Sequence, residues 1–70
     1  MEEKNQITRT TRDRILRAWD NSMELVRDFE FYARETEDDQ EAARVFEIFA
    51  EEEAMHAARF HSLLKKYEKH

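Results

Sequence analysis

The sequence predicts an all-α fold, a two-helix hairpin, on three observations: composition, apolar spacing and one break. In 70 residues there is no glycine and no proline, the residues on which tight turns and strand ends lean and which helices avoid. Glu, Lys, Arg, Ala and Leu, all strong helix formers, dominate instead. Apolar residues recur at helical spacing on both sides of a single polar interruption at Thr36-Glu37-Asp38-Asp39, which marks a turn over residues 36–39.

Helix 1 is expected over about residues 10–35. Residues 1–7 are mostly polar and read as a frayed lead-in, and Thr10-Thr11 followed by Asp13 offer hydroxyl caps and an acid for a helix start. Ile15, Trp19, Ser22, Val26, Phe29 and Ala33 then fall on one face. Ala18, Leu25 and Tyr32 widen one edge of that stripe, and Leu16 and Met23 widen the other. A stripe so broad faces more than one neighbour. Phe31 falls off it.

Helix 2 is expected over about residues 40–68. Asp38 with Glu41 reads as a capping box, and acids at the start with Lys65, Lys66 and Lys69 at the end suit the helix dipole. Its stripe is Ala42, Val45, Phe46, Phe49, Phe60, Leu63, Leu64 and Tyr67, with Glu53 and His56 inside it.

A chain this short sits near the limit at which one core offsets the entropy of ordering it. Cysteine is absent, so disulfides and thiolate metal sites are excluded. Two helices joined by a short turn are antiparallel neighbours, and a lone hairpin would leave half of each stripe wet. An antiparallel homodimer, or a higher homo-oligomer, forming a four-helix bundle is the simplest remedy. The formal charge of −5 is modest and both signs are interspersed along the chain, which argues against a nucleic-acid partner. No apolar run approaches the roughly 18 residues of a membrane span and no leader precedes the first helix. A cytoplasmic location is the expectation.

Chemistry concentrates at Glu53-Ala54-Met55-His56. Residues three apart on a helix project the same way, and a carboxylate beside an imidazole can grip iron, manganese or zinc. On ideal phase both lie near the centre of the helix-2 arc. A carboxylate there needs a partner, because desolvating it costs several kcal/mol. A metal would serve, and so would a Glu53–His56 ion pair across a dimer axis. His61 falls off the arc and reads as a surface residue.

The segment Phe49-Ala50-Glu51-Glu52-Glu53-Ala54-Met55-His56-Ala57 resembles the second-helix signature of rubrerythrins and encapsulated ferritins, in the ferritin-like superfamily. Phe29 to Asp38 resembles the end of that family's first helix, and the similarity spans Trp19 to Leu64. The resemblance implies a di-iron centre shared across the dimer, held by Glu53 and His56, with oxidation of Fe(II) by oxygen or peroxide. Like encapsulated ferritins, which carry one hairpin per chain, this one would complete its bundle by association, and it could be cargo for a larger shell.

The family takes a further ligand, a Glu, from the middle of its first helix. Alignment on Phe29 and Ala33 puts Ser22 there. With the turn near residue 38, Glu53 is expected level with about residue 23, which agrees. Two acids could stand in for the missing carboxylate. Glu24 has the right height but the wrong phase, unless a π-bulge rotates it inward. Glu30 lies within the arc but roughly 9–10 Å nearer the loop, where Arg34 or Arg44 could pair with it. Two readings therefore stand: a metal-binding ferritin-like protein, and a non-catalytic dimerisation module whose metal site has lapsed.

Overall fold

The computed structural model describes the backbone of residues 2–67 and the side chains of residues 10–67. Two helices make up the fold, α1 (Glu2–Glu35) and α2 (Gln40–Lys66), with no strand among the described residues. The turn at 36–39 falls where the sequence places it. The start of α1 does not: the helix begins at Glu2, not near residue 10. Nothing in residues 2–9 breaks a helix, and threonines inside one need not act as caps. Residue 68, the expected end of α2, lies outside the described residues.

Helix α1 closes with Thr36 N–H donating to the Tyr32 carbonyl at 2.9 Å. Asp39 then turns extended, with φ −151° and ψ 98°, and its Oδ1 accepts from Ala42 N–H at 3.0 Å. The cap is therefore Asp39 and not Asp38, a correction of one residue. With the cap at Asp39 the third helical residue is Ala42, so Glu41 has no backbone amide to reach back to and the capping box does not form. Glu41 instead lies in the first turn, with Lys65 and Lys66 in the last, each complementing the helix dipole.

Ring contacts fix how the helices meet. Trp19 lies 5.3 Å from His61, Tyr32 lies 5.3 Å from Phe46, and Phe29 lies 6.1 and 6.3 Å from Phe46 and Phe49. Residue numbers fall on α1 as they rise on α2, so the helices are antiparallel. The same contacts put Phe29 beside the Phe46–Phe49 turn, and so bring the Leu25–Val26 turn of α1 near Glu53 and the Ser22 turn near Ala57. Glu53 thus sits within about one turn of the expected level of residue 23, on the loop side.

The seam follows a three-four alternation on each helix. On α2, Ala43, Phe46, Ala50, Glu53, Ala57, Phe60, Leu64 and Tyr67 are all buried or half-buried. On α1, Ile15, Trp19, Ser22, Val26, Phe29 and Ala33 answer them, as the sequence stripe foretold. This is the spacing of coiled-coil packing. Its deepest points are mostly small: Ala57 is 3% exposed, Ala50 and Ser22 4% each, and Leu64 6%.

That pattern corrects the expected centre of α2. Val45 and Phe49, placed on the inner stripe from sequence, are 41% and 49% exposed. Alanines at seven-residue intervals let the helix axes approach, and bulky neighbours are displaced to the sides. No large side chain among the described residues is fully buried. The result is a rod 57 Å long and 16 by 12 Å across.

Candidate functional site

Glu53 and His56 occupy adjacent turns of α2 but different surroundings. Glu53 is part of the seam, near the Leu25–Val26 turn of α1, and its side chain keeps 19% of its exposure; the His56 side chain keeps 63%. His56 has moved off the seam onto a flank, because the seam takes Ala57 in preference to its bulkier neighbour. The two still meet, with Nδ1 of His56 3.2 Å from Oε1 of Glu53. Half-burial of Glu53 gives its carboxylate reason to hold a partner, and His56 supplies one.

The same spacing fits metal chemistry. Two donor atoms bound to one ion at about 2.1 Å, with about 100° between the bonds, lie roughly 3.2 Å apart. An ion could replace the hydrogen bond between Oε1 and Nδ1 with little movement of either residue. These two donors cover only part of a coordination sphere. Among the described residues, no three His, Cys, Asp or Glu side chains come together in one chain as a metal-binding group.

The stand-in acids lie apart from this pair. Glu24 is exposed and lies on the side of α1 away from the seam, as its helical phase requires. No π-bulge turns it inward, since α1 is unbroken α-helix. Glu30 is also exposed and lines a groove on the opposite flank with Arg34, Glu47 and Glu51, floored by Ala33, Ala50 and Ala54. It forms no ion pair with Arg34 or Arg44 among the described residues. Ser22 is buried, as its central position in the arc implies. Val26, on the next turn of α1, lines a hollow with Ala54, Ala57 and Ala58 and offers no ligand atom.

Around His56 the surface is mixed, with Met55, Ala58, Arg59 and Ser62 on its outer side and an apolar strip on its inner side. Leu25, Tyr32, Val45 and Phe49 are 39%, 44%, 41% and 49% exposed and share its flank, with Ala18 and Leu63 completing the strip by helical position. His61 lies on the other flank and is exposed, as its phase implies. Its ring nevertheless rests against Trp19 in a shallow hollow lined by Met23, Val26, Ala54, Ala57 and Ala58. Phase alone does not reveal that contact; it follows once the register across the seam is known. Phe31 is half-exposed on the outer side of α1, with the Arg34 guanidinium 6.0 Å from its ring centre.

No helix among the described residues is long and apolar enough to cross a membrane. Compared with known proteins, the chain matches no family model, no curated protein and no solved structure.

Proposed function

We propose that this chain is half of a ferritin-like four-helix bundle, and that two copies join their Glu53–His56 pairs into a site for divalent transition metal. Iron is the first candidate, as a di-iron centre shared across the dimer, with manganese and zinc as alternatives. The observation that carries the reading is the Glu53 carboxylate in the seam, 3.2 Å from the exposed imidazole of His56. One chain provides half of a ligand set, and a second copy doubles it to two carboxylates and two imidazoles. Bound there with open coordination positions, iron would supply electrons to oxygen or peroxide. Glu53 and His56 would hold it, and the apolar strip on the inner side of His56 would keep water from the remaining positions.

Surface area supports association. The hairpin exposes 6097 Å², against about 4,700 Å² for a compact monomer of its mass. Its radius of gyration is 16.3 Å, where a compact chain of this length would have about 11 Å. The excess is of the order that a stable interface covers on each partner, about 800 Å².

Anaerobic titration with Fe(II), followed by oxygen, tests the metal reading. Saturation near one ion per chain and a new near-ultraviolet ferric band are expected. His56→Ala should lose the binding and keep the helices; equal binding by that variant would refute the assignment. A second reading has an observation of its own: the buried polar residue of α1 is Ser22 and both Glu24 and Glu30 are exposed, so α1 brings no carboxylate to the pair. On that reading the chain is a non-catalytic dimerisation module with a lapsed metal site, and the titration would stay at background.

A further inference from the structure

Folding segregates charges that the sequence intersperses. Residues 27–52, the loop half of the rod, carry ten acidic and three basic side chains. Residues 10–26 and 53–67, brought together as the open half, carry four acidic and six basic ones. One half is therefore net −7 and the other net +2, along a body 57 Å long. A parallel partner would set the two acidic halves against each other. An antiparallel partner sets each acidic half on a basic one.

The two flanks differ as docking surfaces. On the flank of Glu30, Glu47 and Glu51, an antiparallel copy would press those carboxylates against the Trp19–Met23 hollow of its partner, and desolvating them there would be costly. The flank of Leu25, Tyr32, Val45 and Phe49 exposes four large apolar side chains, with Arg59 and Ser62 at its outer edge beside His56, and burying the apolar ones is favourable. On that face the residues seven before and seven after His56, Phe49 and Leu63, are both apolar, so an axis beside His56 sets one against the other.

We infer that a second copy of this chain docks antiparallel on the Leu25–Tyr32–Val45–Phe49 flank, with the two-fold axis beside His56 and Phe49 of each copy against Leu63 of the other. The inference builds on the half-bundle reading and fixes its interface, direction and register. The chain's lack of cysteine makes the test direct. In the full chain, Phe49→Cys and Leu63→Cys are prepared separately, mixed and oxidised without metal, in the presence of chelator. Disulfide formation needs Cα atoms within about 7 Å, whereas residues 49 and 63 of one helix lie about 21 Å apart.

The expected product is the mixed 49–63 dimer, with little self-linking of either variant. Dominant 49–49 linkage would mean a parallel partner and overturn the inference. Absence of both products, from variants whose helicity matches the parent, would also overturn it. Sedimentation of the unmodified chain gives an independent check. Antiparallel charge pairing predicts association that weakens as sodium chloride rises from about 0.05 to 0.5 M, because screening acts on rim charges; a monomer at both salts would refute it. Since no metal is present, failure here leaves the iron titration free to succeed or fail separately.

Discussion

The two flanks of the hairpin grow from the same seam and differ in what they offer. One presents Leu25, Tyr32, Val45 and Phe49 around His56. The other presents Glu30, Glu47, Glu51 and Arg34 over a floor of alanines, then the Trp19–His61 contact. The most deeply buried points of the seam are mostly small, and some large apolar side chains are displaced to the sides. Leu25, Tyr32, Val45 and Phe49 share one flank, which gives the rod a front, while Phe31, Ile48 and Met55 are exposed elsewhere. The carboxylates keep the other side wet.

Changes to the shared seam should weaken both flanks together, and by the most. Leu64→Ala, at a position 6% exposed, is expected to cost about 2–5 kcal/mol in urea unfolding. Ala57→Leu should cost about 1–3 kcal/mol by forcing apart helices that meet at a residue 3% exposed. A neutral outcome for Ala57→Leu would mean that the helices do not pack closely there.

Next come changes that distinguish the flanks. Phe49→Glu should weaken self-association by more than tenfold, about 1.4 kcal/mol, as read by sedimentation, while Glu47→Gln leaves it unchanged. The reverse pattern would exchange the roles assigned to the two sides. Asp39→Ala removes the side-chain acceptor for Ala42 N–H and should cost about 1 kcal/mol, felt equally on both sides. The smallest effect belongs to His61→Ala, within about 0.5 kcal/mol for an exposed position. It should still change Trp19 emission, because the rings lie 5.3 Å apart.

Much of this architecture is legible in the sequence. Missing glycine and proline together with one polar break give two helices and the turn at 36–39, and the α1 stripe from Ile15 to Ala33 is found where its spacing puts it. What escapes is what size and register decide. Phe49 and Val45 outweigh Ala50 and Ala57 in any count of apolar residues, yet Ala50 and Ala57 take the deepest points of the seam, where the helices approach most closely. The cap slips from Asp38 to Asp39, and two adjacent aspartates give no basis for choosing between them. The pairing of Glu53 with His56 follows from local helix geometry and is readable. Which turn of α1 comes level with Glu53 depends on the register across the seam, which no local rule supplies.

The four-residue turn also decides topology. The seam is a ladder of repeating layers, and α2 of one molecule would find the same layers on the α1 of another as on its own. Neither glycine nor proline forces the chain to reverse. The reversal rests on Asp39, extended at φ −151° and holding Ala42 through its side chain. Were residues 36–39 to continue as helix, the chain would become one long rod able to exchange arms with its neighbour. Thus a short acidic loop, held by one side-chain cap, is where the chain turns back on itself.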